Sequence, residues 1–264
     1  MDLGLRNRVA IVCAASQGLG KATAIGLAHE GTAVVVCSRD LGRITSAADE
    51  IRALAPGTRV LPVVADVTNP EHVSSLVDKT IAEFGRLDVL VTNAGGPPVG
   101  SFQDLSDEQW ERGFALNLLS TIRLIRNCVP HMRKQHWGRI VNITSVAAKQ
   151  PIPDLVISST VRPGVLGLSK VLATQLAADG ILVNTVAPGF FLTARQKEIS
   201  ASRALARGIS LESYLQELSK DNPLGRLGEP EELANMIVFL ASERASYVNG
   251  TVIAVDGGST KGLW

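Results

Sequence analysis

The sequence predicts an α/β fold in which a doubly wound, parallel sheet of seven strands carries helices on both faces. Short apolar runs rich in valine and isoleucine alternate with stretches of helical periodicity along the whole chain. Strands separated by helices of this length require parallel crossovers, which place helices on both faces of a sheet. No linker, repeat or low-complexity segment divides the 264 residues, so we expect one domain over residues 1–264.

Seven apolar runs are the predicted strands. They are too short for free-standing helices, and their composition is typical of strands buried on both faces of a sheet. In chain order they cover residues 9–14, 33–37, 59–65, 88–92, 139–143, 182–187 and 251–255.

Helical periodicity fills most of the segments between these strands. The first three predicted helices cover residues 22–30, 44–55 and 71–84. A longer helix, 107–131, has a continuous apolar stripe that suits the core, a subunit interface or both. Residues 195–221 are polar, helical in composition and preceded by a Pro-Gly break. This segment is either a lid beside a site or a surface excursion.

The bulk composition argues against several classes of function. The formal charge is +1 and the charges are scattered, so nothing indicates a surface for nucleic acid or an anionic membrane. With no leader-like N-terminus and no apolar run of bilayer length, we expect a cytoplasmic protein. The three cysteines lack ligand spacing and are expected to be reduced, buried thiols, and the four histidines show no metal pattern. We expect Trp264 to make a packing contact, within the chain or with a neighbouring subunit.

The first strand, loop and helix have the order of a phosphate-binding site. A loop of small residues from Ala15 to Gly20 separates the strand from the helix. Glycine lets the backbone approach a phosphate closely, and the free N–H groups at a helix N-terminus face the anion. An ordinary tight turn has the same pattern. The loop alone therefore leaves both interpretations open.

Further motifs, in a fixed order, resemble those of the short-chain dehydrogenase/reductase family, in particular its 3-oxoacyl-(acyl carrier protein) reductases. The motifs are CAASQGLG (13–20), Asp66-Val67, TNAG (92–95), Asn117 in ALNLLS, GRIVNITS (138–145), VNTVAPGFFLT (183–193), PLGRLGEPEELA (223–234) and YVNGTVIAVDGG (247–258). The resemblance covers nearly the whole chain. It implies a Rossmann-type fold, a nicotinamide dinucleotide, a small-molecule substrate, and a homotetramer or dimer formed through the long helices.

The resemblance also implies which residues hold the dinucleotide. They are Ser16, Gln17, Gly18, Leu19 and Gly20 at the phosphates, Asp66 and Val67 at the adenine, Asn93, Ala94 and Gly95 beneath the adenine ribose, and Pro188, Gly189 and Thr193 at the nicotinamide. Ala14 departs from the family, which has glycine at this position. Its methyl group costs little if φ is negative, but it narrows the approach to the cofactor.

The end of the second strand favours NADP(H) over NAD(H). An acidic residue there holds the ribose 2′-hydroxyl of NAD, whereas an arginine accepts the 2′-phosphate of NADP. This chain has Ser38 and Arg39 at that point. No carboxylate therefore repels the 2′-phosphate, and the arginine guanidinium is available to bind it with charge-assisted hydrogen bonds. The alternative is that Arg39 is a solvated loop residue paired with Asp40.

The family's proton donor is missing from the sequence. In the family's usual mechanism, a serine polarises the carbonyl and a tyrosine protonates it. A lysine four residues after the tyrosine lowers its pKa, and an asparagine holds a water beside the lysine. Ser145 and Asn117 match two of these roles, but Ser158 and Arg162 stand where the tyrosine and lysine are expected. A serine hydroxyl is too weak an acid for the tyrosine's role, and arginine does not release a proton.

Proline at position 163 predicts a local change in the helix that carries these two residues. Proline in a helix interior removes a hydrogen bond, and the residue before it avoids helical angles. We therefore expect the helix to begin near Ser159 or Thr160, with Pro163 in its first turn, or to kink at Pro163.

Three functions are compatible with the sequence. The first is an NADP(H)-dependent oxidoreductase that transfers hydride to or from a carbonyl or alcohol, with Ser145 polarising the carbonyl. Water near Ser158 would supply the proton, or Lys149 would, although Lys149 is otherwise simply an exposed lysine. The second is a catalytically silent dinucleotide-binding or regulatory protein on the same fold. The third is lyase or isomerase chemistry in which Arg162 stabilises an anion.

We favour the first function because Ser145 and Asn117 are retained, whereas the loss of the Tyr–Lys pair favours the second. The substrate pocket is expected between residues 96–99, 149–155 and 195–221, with a mainly apolar lining. Arg195 either meets an anionic group there or lies at the surface.

Overall fold

The computed structural model describes residues 1–262, and its centre is a seven-stranded parallel sheet. The strands, labelled β1 to β7, are Val9–Val12, Ala33–Ser38, Val60–Val64, Val89–Thr92, Gly138–Ile143, Ile181–Pro188 and Val252–Val255. Their order is β3-β2-β1-β4-β5-β6-β7. The seven predicted strands and the doubly wound parallel arrangement are confirmed. The contact expected of Trp264 lies outside the described residues.

Helices cover both faces of this sheet. In chain order, α1 to α9 are Gly18–His29, Leu41–Leu54, Pro70–Phe84, Asp107–Phe114, Ser120–Lys134, Val156–Gln175, Ala194–Ala206, Leu211–Lys220 and Pro230–Ala241. Helices α1, α2 and α9 pack on one face, and α3, α5 and α6 pack on the other. Within residues 1–262, no helix is long and apolar enough to cross a membrane.

Strand β1 shows why the strands are apolar throughout. Ala10 and Val12 point into the core shared with α1, whereas Val9 and Ile11 point into the core shared with α3 and α5. Successive side chains of a strand alternate between faces, so a strand between two helical layers has no solvent-facing residue. All three cysteines are buried free thiols, as expected.

The topology places the ligand site at one edge of the sheet. Strands β1 and β4 are neighbours although two strands and three helices separate them in sequence. The chain winds outward in opposite directions from this pair, which opens a crevice at the carboxyl ends of the strands. The loops that follow β1, β2, β4 and β5 meet at this edge.

Helix α6 begins earlier than predicted. It starts at Val156, where the Ser159 N–H donates to the Leu155 carbonyl at 2.8 Å, and Pro163 is its eighth residue. The predicted start near Ser159 or Thr160 is therefore wrong. Proline removes only one helical bond, and its ring lies on the exposed side. The buried side chains on the opposite face keep the helix in place, and a kink at Pro163 stays a prediction. These side chains are Ile157, Val161 and Val165.

The long helix predicted over 107–131 is present but not uniform. Helix α4 and helix α5 are joined by one π-helical segment, Ala115–Leu119. A π turn inserts one extra residue into an α-helix, and such turns are frequent at functional sites. The buried residue at the centre of this segment is Asn117.

Candidate active site

The loop between β1 and α1 is shaped for close approach of a ligand. Helix α1 begins at Gly18, which has φ +57°, and the side chain of Gln17 at the N-cap makes no capping hydrogen bond. A Cβ at Gly20 would lie 2.5 Å from the Ala14 carbonyl oxygen. Only glycine therefore fits position 20, and the first N–H groups of α1 are left for an anion.

Ala14 is in the left-handed region, with φ +49°. The methyl group would cost little only if φ were negative, and this condition is not met. An alanine in this region is less stable than a glycine because its Cβ crowds the following carbonyl oxygen. The departure from the family glycine thus introduces backbone strain beside the phosphate loop.

A cleft of ≈ 920 Å³ runs along the carboxyl ends of the strands. It brings together most of the residues expected to hold the dinucleotide, but its lining does not include Gly20, Pro188 or Gly189. The expected residues that line it are Ser16, Gln17, Gly18, Leu19, Ser38, Arg39, Asp66, Val67, Asn93, Ala94, Gly95 and Thr193.

Four arginines also line this cleft: Arg39, Arg43, Arg112 and Arg195. Arg43 and Arg112 were not singled out from the sequence. The spacing of Arg43, four residues after Arg39 at the start of the next helix, is a signal that identifies it. Arg195 lies in the cleft and has an ion pair with Glu198 at 3.6 Å.

The side chain of Asp40 does not neutralise Arg39 in the part of the chain that the structure describes. Its carboxylate accepts a hydrogen bond from the Arg43 backbone N–H at 2.8 Å and lies 4.0 Å from the Arg43 Nε. The Ser38 hydroxyl donates to the Asp40 carbonyl at 3.1 Å. Arg39 is exposed and faces the cleft, so the alternative in which it pairs with Asp40 is not what the structure shows.

Asp66 lies across the cleft from this group. Partial burial raises the pKa of its carboxyl, but hydrogen bonds from the Thr68 N–H and hydroxyl and the positive charge of Arg39 together lower it below the ordinary value. Asp66 is therefore a fixed carboxylate at neutral pH. Its Oδ1 accepts both bonds from Thr68, which orders the loop after β3.

Asn117 reaches the loop after β4 from the π segment. Its Nδ2 donates to the Gly95 carbonyl at 3.0 Å, and it is 5% exposed. Its Oδ1 is buried and has no partner within residues 1–262. A buried acceptor without a partner is unusual, and one explanation for it is an ordered water or a ligand.

Ser145 follows β5 and faces the same edge of the sheet. Its backbone is extended, and its Oγ accepts a hydrogen bond from the Ala147 N–H at 3.1 Å. Since a hydroxyl has one donor and two acceptor positions, its proton is left to point at another group. The preceding residue, Thr144, is tied to β6, because its N–H and its hydroxyl both donate to the Val186 carbonyl.

Ser158 and Arg162 lie one helical turn apart on α6, and both are buried. The Nη1 of Arg162 donates to the Thr144 carbonyl at 2.8 Å, and the Ile143 carbonyl lies 3.5 Å away. Burial lowers the pKa of Arg162 to about 10, so the guanidinium still carries its charge at neutral pH. Its Nε is buried without a partner among the described residues.

Lys149 is partly buried, and its charge acts on Asp256 at the end of β7. Partial burial raises the pKa of Asp256, but hydrogen bonds from Thr260 and Gly258 and the charge of Lys149 together lower it. The interpretation of Lys149 as a freely exposed lysine is therefore incomplete, because this lysine faces a carboxylate.

A buried hydrogen-bond network lies beneath the site. The Thr92 hydroxyl donates to Asn142 Oδ1 at 2.6 Å, and Asn142 Nδ2 donates to the Ser169 hydroxyl at 2.9 Å. The Thr185 hydroxyl also donates to Ser169, at 2.9 Å. The network joins β4, β5, β6 and α6, so it fixes the strand ends that carry the site.

Residues 195–221 form helices α7 and α8, which are anchored to the loop before α6. Arg203 makes an ion pair with Asp154 and donates to the Tyr214 hydroxyl at 3.5 Å. Arg207 lies over the Tyr214 ring, 5.6 Å from its centroid. The Tyr214 hydroxyl and ring are thus held by two arginines of this segment, Arg203 and Arg207.

The residues present fit a dinucleotide. The cleft is long, is lined with backbone groups and arginines, and starts at a helix N-terminus whose cap position makes no side-chain bond. Asn117 Nδ2 donates to the carbonyl of Gly95, which lines the cleft, and Asn117 Oδ1 has no partner among the described residues. Donors for phosphates thus lie along this cleft, whereas the residues expected to be catalytic, Asn117, Ser145, Ser158 and Arg162, are not among its lining residues.

Residues 13–260 match the family model adh_short_C2, whose description is enoyl-(acyl carrier protein) reductase. The chain therefore belongs to this family of short-chain dehydrogenases/reductases and is an enzyme of the oxidoreductase class.

Two curated relatives and one solved structure show how close the similarity is. The chain is 37% identical to (2S)-[(R)-hydroxy(phenyl)methyl]succinyl-CoA dehydrogenase subunit BbsD of Thauera aromatica, over 97% of this chain and 98% of that protein. It is 36% identical to 3-oxoacyl-[acyl-carrier-protein] reductase FabG of Thermotoga maritima, over 96% and 98%. The structure of L-sorbose reductase from Gluconobacter frateurii, complexed with NADPH and L-sorbose, superposes with a TM-score of 0.95 at 36% identity and covers 100% of both chains.

Proposed function

We propose that this enzyme is an NADP(H)-dependent oxidoreductase that transfers hydride to or from a carbonyl or alcohol substrate with an altered proton-donor site. The observation that carries the proposal is the cleft itself. Arg39 and Arg43 line it, Asn117 is bonded to its lining residue Gly95, and Ser145 follows β5 at the same edge of the sheet. The NADPH complex of L-sorbose reductase, similar over its full length, supports this choice of cofactor.

Arg39 and Arg43 would select NADP(H) over NAD(H). Both are exposed in the cleft, beside Ser38 at the end of β2. An arginine fork binds phosphate oxygens with charge-assisted hydrogen bonds, and Ser38 adds no repelling charge. The phosphates of the cofactor would lie on Ser16 to Gly20, where the start of α1 offers N–H groups.

The bound cofactor supplies or accepts the hydride, and the chain's own residues orient the substrate. Ser145 would donate its hydroxyl proton in a hydrogen bond to the substrate oxygen, because the Ala147 N–H uses one acceptor position of its oxygen and leaves the proton available. Asn117 would hold a water on its unpaired Oδ1. Ser158 and Arg162 complete this end of the site.

The proton path is the altered part of this proposal. Neither Ser158 nor Arg162 is an acid of useful pKa, so a water near Ser158, or Lys149, would supply the proton. Acid–base catalysis contributes roughly 10²- to 10⁴-fold in rate, whereas positioning of hydride and carbonyl is independent of it. We therefore expect slower turnover than in a relative that has a Tyr–Lys pair.

The remaining parts of the proposal concern the assembly. Residues 1–264 would form one domain, with α7 and α8 as a lid over the substrate. The protein would be a homotetramer or dimer through the long helices. Phe114 on α4 and Val171 on α6 support this, because both are large apolar side chains that are exposed on the chain described here.

The test is a titration of the purified protein with NADPH and with NADH, followed by nicotinamide fluorescence. Arg39→Gln should weaken NADPH binding about 10- to 100-fold, since a hydrogen bond to a charged group is worth roughly 1.5–3 kcal/mol. It should leave NADH binding unchanged. Arg6→Gln is the matched control, because Arg6 is exposed and lines a groove at the opposite edge of the sheet.

A panel of carbonyl and alcohol substrates then tests the reaction. Turnover that requires NADP(H) and is lost in Ser145→Ala is the expected result. If neither cofactor binds, the oxidoreductase proposal fails. Tight binding without turnover in a folded sample indicates a silent dinucleotide-binding protein. Turnover that needs no cofactor but is lost in Ser145→Ala indicates lyase or isomerase chemistry.

A further inference from the structure

Arg162 is a buried cation whose hydrogen bonds, within residues 1–262, go only to backbone carbonyls. The residue is 9% exposed, and its Nε has no partner in the part of the chain that the structure describes. A buried charge is costly unless hydrogen bonds compensate it. The orientation of this guanidinium is therefore set by the one short bond it makes, from Nη1 to the Thr144 carbonyl.

This bond acts on Ser145. The Thr144 carbonyl and the Ser145 N–H belong to the same peptide unit, which is planar and rotates as one piece. On its other side, Thr144 is fixed to β6 by two bonds to the Val186 carbonyl, at 2.9 and 3.0 Å. With the Arg162 bond in place, the peptide that leads into Ser145 is held from two elements, β6 and α6.

We propose that Arg162 is a positioning residue that fixes Ser145 through the Thr144–Ser145 peptide. The role rests on the proposed function, in which the Ser145 hydroxyl is hydrogen-bonded to the substrate oxygen. It differs from that of the lysine which the resemblance implies at this position, because the Nη1 group of the guanidinium is bonded to the protein backbone.

Arginine suits this role better than lysine does. Its planar fork holds rigidly placed donors and extends about one bond further than a lysine ammonium. From the same helical position, a lysine would stop short of the Thr144 carbonyl or pull α6 inwards. Helix α6 is held in place by its buried face, which includes Ile157, Val161 and Val165.

The experiment compares Arg162→Lys, Ser145→Ala and the double variant with the wild-type chain. Arg139→Lys is the matched control, because Arg139 is 4% exposed and its Nη1 also donates to a backbone carbonyl, that of Gly138 at 2.9 Å. It lies at the opposite end of the same strand, β5. The readouts are kcat, KM, the Kd for NADPH and the amide resonance of Ser145 in a ¹H–¹⁵N spectrum.

We expect Arg162→Lys to shift the Ser145 amide resonance and to lower kcat about 100-fold, as small misplacements of reacting groups do. KM and the Kd for NADPH should stay within about threefold of wild type. When Ser145 is already alanine, adding Arg162→Lys should lower kcat by less than about threefold, because the two residues act as one unit. Arg139→Lys should leave the Ser145 resonance and kcat unchanged, even if it lowers the melting temperature as much as Arg162→Lys does.

Additive losses in the double variant would overturn the proposal. So would an NADPH Kd raised tenfold or more (about 1.4 kcal/mol) by Arg162→Lys with an unmoved Ser145 resonance, which would assign Arg162 to the cofactor. If the wild type binds NADPH but turns over no substrate, the proposed function fails, whereas the Ser145 resonance still decides the role of Arg162. Arg162→Gln, an uncharged donor, serves as the second variant where the lysine variant does not fold.

Discussion

Replacing Ala14 by glycine should stabilise the enzyme, although glycine usually destabilises a folded chain. Ala14 has φ +49°, and an alanine in this region costs roughly 1–2 kcal/mol relative to the right-handed conformation. Glycine avoids that cost but gives the unfolded chain more freedom, which costs about 0.4–1 kcal/mol. The difference predicts a net gain of about 0.5–1 kcal/mol in the free energy of unfolding.

A gain of this size raises the melting temperature by about 1–4 °C in a chain of this length. Differential scanning calorimetry without cofactor measures it directly. The Ala14 methyl group also lines the cleft, so Ala14→Gly should bind NADPH at least as tightly as the wild type does. His136→Gly is the matched control, since His136 has φ +50° but lies after α5, outside the cleft lining. It should gain similar stability with no change in NADPH binding.

Gly20→Ala, the reverse exchange in the same loop, should act in the opposite direction. Its Cβ would lie 2.5 Å from the Ala14 carbonyl oxygen, which belongs to the backbone and cannot turn aside. A melting temperature that is lowered or unchanged in Ala14→Gly would refute the reasoning from backbone strain. A rise in the melting temperature of Gly20→Ala would show that the Ala14 carbonyl oxygen does not restrict position 20.

Two further predictions concern stability. Asn142→Leu should lower the free energy of unfolding by about 2–4 kcal/mol in urea titrations, because the hydroxyls of Thr92 and Ser169 lose their buried partner; a loss below about 1 kcal/mol would mean that the network is not cooperative. Glu232→Gln should reduce stability in a pH-dependent way. The hydrogen bond and charge of Arg226 lower the pKa of Glu232 to about 2 from an ordinary 4.5, so its contribution is complete above pH 4.5 and is lost as the pH falls towards 2. Melting curves of wild type and variant should converge at low pH, and a constant difference would contradict this.

The sheet was predictable because burial on both faces makes each strand a continuous apolar run. The pattern predicts that residues 33–37 form a strand, and β2 covers Ala33–Ser38. Helix bounds were harder, because local signals compete with packing. Pro163 predicts a late start for α6. The buried apolar face of this helix begins at Ile157, however, and its packing keeps the residues before Pro163 helical. The tertiary contacts of that face outweigh one lost bond.

The cofactor end of the site was predictable from residue types that follow strands. Ser38 ends β2 and Arg39 follows it, Asn93 to Gly95 follow β4, and the structure places all of them along one cleft. Arg43 was missed although it lines the same cleft as Arg39. Its nearness to Arg39 depends on a helix that begins at Leu41, and the sequence predicts a start for that helix at residue 44. A charge pattern on a helix becomes informative only when the start of that helix is known.

The substrate end was not predictable because it depends on where side chains turn. A sequence shows that Arg162 carries a charge at the position of the family lysine, but not which way its guanidinium points. In the structure the tip meets the Thr144 carbonyl, at the end of a strand that is a neighbour only in three dimensions. The unpaired Asn117 Oδ1 is equally hidden, since it depends on a π turn for which the sequence has no separate signal.

These two findings bear on the order of a site that has Ser158 and Arg162 where the sequence resemblance predicts a Tyr–Lys pair. In a buried site, a lost phenol and a lost ammonium would leave polar backbone groups without partners, which costs free energy. Arg162 compensates at one of them, the Thr144 carbonyl, and remains charged because its pKa of about 10 lies well above neutral pH. The order of the site is therefore separable from its acid–base chemistry. Ser158→Tyr should therefore supply a phenol and leave the position of Ser145 unchanged. Arg162→Lys, in contrast, should displace Ser145. Restoring both family residues at once should yield less activity than restoring the tyrosine alone.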